Sequence, residues 1–252
     1  MSVTAPAKIT NRLVQLLPAD EQHQLLLQCE VVDMQFGQIL CEPGQPYPYL
    51  YFPLHGFVSL LAPLSGHIPL EMCLMGNEGM LGASLVLGIE TAPMQAIVQG
   101  KGSAWRIRPE ALQTLLEECV QLRRTLQQYL FLQFRQLSQS AACGHFHELP
   151  QRLARWYLMS DDRTQCDEFY LTHQFLAGML GVRRSGVTVA AGKLQKQHLI
   201  RYNRGMVHIL DHEALRQMSC ECYGAGLDDY RNILGIPSTG ALLRQSFSTN
   251  TP

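Results

Sequence analysis

The chain has 252 residues, 46% of them hydrophobic and 16% charged, with a formal net charge of −1. That length can bury one large core or two modest ones, and the composition is that of an ordinary globular protein. No apolar run is long enough to cross a bilayer, and the N-terminus MSVTAPAKITNRLVQLL lacks the basic-then-apolar layout of a secretory signal, so a cytoplasmic protein is expected.

Residues 9–29 predict a helical lead-in, with Leu13, Leu16, Leu17, Leu25 and Leu26 on an apolar face and a break at Pro18-Ala19-Asp20 before a second helix. From about 31 to 108 the texture changes to short β-type runs. These are Val31-Val32, Ile39-Leu40, Leu50-Tyr51-Phe52, Phe57-Val58-Ser59-Leu60, Ile68-Pro69-Leu70, Ala96-Ile97-Val98 and Ala104-Trp105-Arg106-Ile107, punctuated by Gly and Pro. Many short strands with regular turn signals predict an antiparallel roll or barrel.

Pro109 suits the first position of a helix, where a missing N–H costs nothing. Leu112, Leu115, Cys119, Leu122, Leu126 and Tyr129 then recur at alternating spacings of three and four, a heptad seam. A second apolar set (Leu116, Val120, Leu130, Phe134, Leu137 and Ala141) covers a neighbouring face. A helix with two apolar faces needs two partners. One is its own domain and the other, by the simplest closure, a two-fold copy. The heptad set is therefore the expected dimerisation seam; the alternative is a helix buried within one monomer. Pro150 opens a further helix, Asp161-Asp162 to Glu168 reads as a solvated acidic loop, and residues 236–252, rich in Ser, Thr, Gly and Pro, read as a flexible tail.

Charge is unevenly spread. Residues 1–108 carry five Lys/Arg against eight Asp/Glu, a formal net of −3, whereas residues 171–210 carry six Lys/Arg and no acid. That basic stretch has the pattern of helix, tight Gly turn, helix and hairpin. Thr172 caps the first helix, Gly181-Val182 makes the turn, and the second helix buries Val187, Ala190, Ala191 and Leu194. Its leading exposed residues are Arg183, Arg184, Ser185, Thr188 and Val189, and Asn203-Arg204-Gly205 turns a hairpin that carries Arg201. A cationic helix-turn-helix with a wing fits duplex DNA, and an Arg leading the second helix can pair bidentately with guanine. Thr172, His173, Arg183, Arg184, Ser185, Thr188, Lys193, Arg201 and Arg204 are the candidate DNA-contacting residues.

Roll, long helix and winged helix, in that order, resemble the Crp/Fnr superfamily of bacterial transcription regulators over about residues 10–225. The resemblance rests on Leu40-x-x-Pro43-Gly44, Leu50-Tyr51-Phe52-x-x-x-Gly56-Phe57-Val58 and Gly76-x-x-Gly79-Met80-x-Gly82. In the second half it rests on Arg152-Leu153-Ala154-Arg155-Trp156, Leu171-Thr172-x-x-x-Leu176-Ala177-x-Met179-Leu180-Gly181 and the Arg183–Leu194 helix. It implies an α+β chain with a cyclic-nucleotide-binding-like β-roll sensor domain (1–108), a dimerisation helix and hinge (109–145), a winged helix-turn-helix (146–235) and the tail (236–252). It also implies a homodimer on a pseudo-palindromic double-stranded site, working with RNA polymerase and not as an enzyme.

Two departures from the family pattern matter. Val189 falls where cyclic-AMP-responsive relatives carry a further Arg, which implies a different DNA site. Cyclic-nucleotide binders of this fold carry a Glu for the ribose and an Arg for the phosphate. The matching positions here, within Gly82-Ala83-Ser84 and Met94-Gln95, read Ala83 and Met94, and no Lys or Arg lies between 79 and 100. A buried cyclic phosphate without a cation is strongly unfavourable, so the effector pocket reads as degenerate.

No cofactor and no metal is expected from spacing. The eight cysteines include no CxxC pair, so free thiols in a reducing compartment are expected, and no Cys precedes Cys29, against an N-terminal iron–sulfur cluster. His55, His67, Cys41 and Cys73 lie in the roll without a spacing that demands haem. Cys143-x-His145-x-His147-Glu148 and Cys220-Glu221-Cys222 are candidate metal or redox groups for which hinge and packing roles are the simpler readings. A haem-, metal- or redox-sensing regulator of the same fold is thus the alternative. A cupin-like metal enzyme is disfavoured, since the His145-x-His147 pair lies outside the strands.

Overall fold

A computed structural model describes residues 10–66, 69–164 and 169–236. The chain opens with α1 (Arg12–Gln15) and α2 (Ala19–Leu27), divided at Pro18 as the sequence predicts. Asn11 explains why so short a first helix holds its place. Its Oδ1 accepts from Leu13 N (3.1 Å) and Val14 N (3.2 Å), while its amide donates to the carbonyls of Pro53 and Gly79 at 3.0 Å each. One buried side chain thus caps the helix and ties it to the roll.

The roll is built from β1 (Glu30–Met34), β2 (Ile39–Cys41), β3 (Leu50–Ala62), β4 (Leu70–Met75) and β5 (Gln95–Ile107), all antiparallel, in the order β1-β5-β3-β4 with β2 also on β5. The separate runs read at 50–52 and 57–60, and again at 96–98 and 104–107, are single long strands. Gly56 does not end a strand. It takes a left-handed φ of 75° where the β3–β5 register shifts, and an added Cβ would lie 2.2 Å from the Gly100 carbonyl oxygen. The glycine supplies a bulge, which bends the pair without breaking it. Gly82 (φ 95°) starts a short 3-10 helix, Ala83–Leu87.

The long helix is interrupted once. α3 (Pro109–Glu118) and α4 (Val120–Phe146) meet at Cys119, whose backbone is extended. Glu21 caps the new start by accepting from the backbone N–H groups of Gln121 (3.0 Å) and Leu122 (2.7 Å). The heptad set expected to form a dimer seam faces inward instead. Leu112, Leu115, Cys119, Leu122, Leu126 and Tyr129 are all buried in the core shared with the roll. Tyr129 is so close to the roll that a Cβ on Gly79 would lie 2.1 Å from its phenol oxygen. The clean heptad spacing therefore reports packing within one chain.

α5 (Leu149–Thr164), β6 (Phe169–Tyr170), α6 (His173–Leu180), α7 (Arg184–Lys196), β7 (Ile200–Asn203), β8 (Met206–Ile209) and α8 (His212–Met218) follow, with β6-β8-β7 as a small sheet. Asp161 and Asp162, expected in a solvated loop, lie in the last turns of α5 and are buried. Asp161 Oδ2 is 2.8 Å from His212 Nε2, and Asp162 accepts from the Tyr223 hydroxyl at 2.9 Å. The acidic pair is thereby structural.

α9 (Cys222–Leu234) leaves the winged domain and returns to α4. Tyr230, Leu234 and Ile236 join the core of the roll and long helices. The first half of α9 still belongs to the winged unit, with Tyr223 in its core, and Ile236, expected in the tail, is buried; residues 237–252 lie outside the described residues.

A candidate DNA interface and a cavity beside the roll

The helix-turn-helix follows from local chemistry. Thr172 caps α6, its hydroxyl accepting from Phe175 N at 3.1 Å. Gly181 closes α6 at φ 65°, with Val182 N donating to Ala177 O at 2.9 Å, the reversal a left-handed C-terminal residue permits. α7 then buries Val187, Ala190, Ala191 and Leu194, the four residues its pattern predicts. Arg152 supports the turn from α5 by donating to the Leu180 carbonyl at 2.7 Å.

The outward face of α7 is cationic and unpaired. Arg183, Arg184, Ser185, Thr188, Lys193 and Lys196 are exposed, and no described carboxylate pairs with Arg183, Arg184, Lys193, Lys196 or Arg204. The positive charge is left for a partner outside the chain. Beside it stands the wing, in which Arg204 (φ 48°) and Gly205 (φ 90°) both take left-handed backbone, the two-residue turn that matches strand twist. Arg201 and Arg204 are exposed on it.

Two expected contact residues have other work. His173 stacks on Tyr202 at 4.2 Å between ring centroids, and its Nδ1 is 3.0 Å from the Thr188 hydroxyl. That hydroxyl already donates to Arg184 O at 3.1 Å, so it accepts from His173 Nδ1–H. Burial, reinforced by the neighbouring Arg184 charge, pushes the His173 pKa down. A neutral imidazole is thus a strut between wing and α7, and Thr188 is largely satisfied within the protein.

The structure also brings Gly192 and Lys196, which the sequence reading did not single out, into line with two residues that it did. Ser185, Val189, Gly192 and Lys196 fall at i, i+4, i+7 and i+11, one stripe along the outward side of α7. Lys196 was counted only as charge. A Cβ on Gly192 would meet nothing within 4 Å, so internal packing does not require the glycine. Periodicity measured from the buried residues would have placed both on this stripe.

Of the expected effector positions, Gly82, Ala83, Ser84 and Met94 line one cavity. A cavity of about 300 Å³ between roll and α4 is lined by Tyr47, Gly82, Ala83, Ser84, Met94 and Phe134, among others, with no Lys, Arg, Asp or Glu in its wall. Ser84 donates to the Ile89 carbonyl (3.2 Å), and Gln95 does not line the cavity but donates to Glu42 at 2.9 Å. Burial pushes the Cys41 thiol up to about 11 and that of Cys73, which lines the cavity, up to about 12. His55 lies on β3, and His67 falls outside the described residues. At the hinge, His145 is exposed, whereas Cys143 and His147 approach Cys220 and Cys222.

The fold joins a β-roll by a long helix to a winged helix-turn-helix. Residues 151–218 match the Crp-like helix-turn-helix domain. Solved structures share the fold across most of the chain. FixK2 of Bradyrhizobium japonicum is 15% identical with a TM-score of 0.64, covering 76% of this chain and 98% of its own. CLP, a c-di-GMP-responsive global regulator of Xanthomonas campestris, is 17% identical at TM-score 0.63, covering 77% and 100%. A CRP-family transcriptional regulator of Thermus thermophilus is 18% identical at 0.62, covering 75% and 96%. No curated protein sequence matches the chain. Residues 151–218 thus carry a Crp-like helix-turn-helix domain, set in a chain that has the fold of Crp/Fnr-type transcription regulators. No helix among the described residues is long and apolar enough to cross a membrane.

Proposed function

We propose that the chain acts as a homodimer, by binding and not by catalysis, on a pseudo-palindromic duplex site, and works with RNA polymerase. The observation that carries the reading is the unpaired Arg183-Arg184 pair leading an exposed helix beside a basic wing. In two-fold readers of this kind the two helices enter successive major grooves about 34 Å apart.

The dimer seam is drawn from the face of α4 that its own chain leaves uncovered. Val120 (62% exposed), Phe131 (53%) and Phe134 (64%) are large apolar side chains in water. With Gln127, Ser138 and Ala141 they follow heptad spacing along the helix. Phe134 also lines the effector cavity, so a ligand there touches the seam directly. The lining favours a compact, uncharged, largely apolar effector and offers nothing to neutralise a cyclic phosphate.

Selection of duplexes from a random pool tests the recognition assignment. Arg184→Ala is expected to cost about 1–3 kcal/mol at one base pair of each half-site and to relax preference there. An unchanged selected motif refutes the role given to Arg184.

A further inference from the structure

Away from the DNA face, the described residues hold one converging group of soft metal ligands. Cys143 lies in the last turns of α4, His147 caps that helix, Cys220 sits in the turn before α9 and Cys222 begins α9. Their ligand atoms all lie within 4.8 Å of one another. Cys143 Sγ is 3.6 Å from Cys220 Sγ, and Cys222 Sγ is 3.5 Å from His147 Nδ1. A tetrahedral ion with bonds of about 2.3 Å to sulfur and about 2.0–2.1 Å to nitrogen needs edges of roughly 3.8 and 3.6 Å. The four donors are therefore spaced for a single ion at their centre. A polynuclear iron–sulfur cluster would need them spread around a core of several atoms.

The surroundings fit the same geometry. The three cysteines form a small buried cluster of their own, with no aliphatic side chain among its members. His147 Nε2 is 3.0 Å from Glu221 Oε1, which turns Nδ1 toward the thiols in the carboxylate–histidine arrangement typical of metal-bound imidazole. Gln139 donates to Cys222 Sγ at 2.8 Å. Three thiolates and a neutral imidazole around a dication leave one negative charge.

We propose that Cys143, His147, Cys220 and Cys222 bind one zinc ion in a closed Cys3His site that clamps α9 to the end of α4. Thiolate-rich tetrahedral sets favour zinc over harder cations, and four protein ligands leave no open position for catalysis. Each thiol that coordinates releases its proton to solvent on binding. Cys143 and Cys220 are 77 residues apart and enclose α5 to α8, so the ion pins the entry and exit of the winged domain to one point.

Titration of the reduced, metal-free full-length chain with Co2+ tests the site without any variant. One equivalent is expected to bind, with thiolate-to-metal charge transfer and the strong d–d bands of a tetrahedral ion, and zinc should displace it stoichiometrically. Cys220→Ser/Cys222→Ser should abolish those bands, His145→Ala should keep them, and Glu221→Gln should weaken affinity by roughly 10–100-fold. Zinc should also raise the melting temperature and protect the 219–222 turn from proteolysis. Absence of tetrahedral Co2+ bands in the wild-type chain, or iron with inorganic sulfide in freshly purified protein, overturns the site. Bound zinc with unchanged proteolysis and melting overturns the clamp. None of these readouts involves DNA, so they stand apart from the recognition assignment.

Discussion

Glu71 shows how a single carboxyl couples the two domains. Half-buried on β4, it accepts from Ser59 at 2.7 Å on one side and from the Trp156 indole of α5 at 2.6 Å on the other. Burial pushes its pKa up from the usual carboxylate value to about 7, only partly opposed by those hydrogen bonds. Asp162, beneath Tyr223, is likewise raised to about 7, first by burial. A raised carboxyl binds its proton more tightly folded than unfolded, so this part of the stability is lost as pH climbs from about 4.5 to about 7. Gln at position 71 keeps a neutral acceptor for Trp156 and cannot ionise. Glu71→Gln is expected to melt near the wild type at pH 5 and above it at pH 8. Parallel melting curves at both values would show that Glu71 carries no such penalty. Nearby, Arg163 and Glu78 form a buried pair at 2.6 Å across the same junction, with each side chain under a tenth exposed. Breaking either partner would strand a charge in the interface.

Recognition helix α7 separates what a sequence displays from what only a fold can show. Its buried face, its Gly181 turn, its wing and its cationic leading end were legible, because each rests on short-range spacing or on a residue with special backbone freedom. Gly192 was not, since one glycine in a helix carries no sign of which side it lies on until the buried residues set the phase. Gly192 lies on the outward stripe with open space around it, and in the proposed complex its missing side chain would let the helix backbone come close to a groove wall. Gly192→Glu should leave the melting temperature within a few degrees of the wild type yet abolish duplex binding, while Gly192→Ala should add about 1 kcal/mol of stability. Retained DNA affinity in Gly192→Glu would place the interface elsewhere. The long helix gave the opposite lesson. Its regular leucine spacing was read as an intermolecular seam, yet Leu112 to Tyr129 line the internal core. Heptad period reports that a face is buried and is silent on whose surface buries it. The two halves of the Cys143–Cys222 group were each legible as candidate metal or redox groups, but their convergence on one site was not, because they stand too far apart in sequence.

Over the whole molecule, the uncovered stripe on α4 is where two copies are expected to meet. Two phenylalanines more than half exposed within one turn are costly in water, and burying each stabilises by about 1.5–3 kcal/mol. Phe131→Asp/Phe134→Asp should sediment as a folded monomer with DNA affinity reduced at least tenfold, whereas Leu122→Ala should destabilise the chain without changing its assembly. A double variant that still sediments as a dimer would move the seam off this face. The path of α9 carries a consequence for motion. Because the chain leaves α4 at His147 and comes back to it through α9, the winged domain is fastened at both of its ends. Entry and exit meet at one corner, where the sulfurs of Cys143 and Cys220 are 3.6 Å apart, so any reorientation that a signal produces is expected to turn about that corner as a flag turns about the foot of its staff.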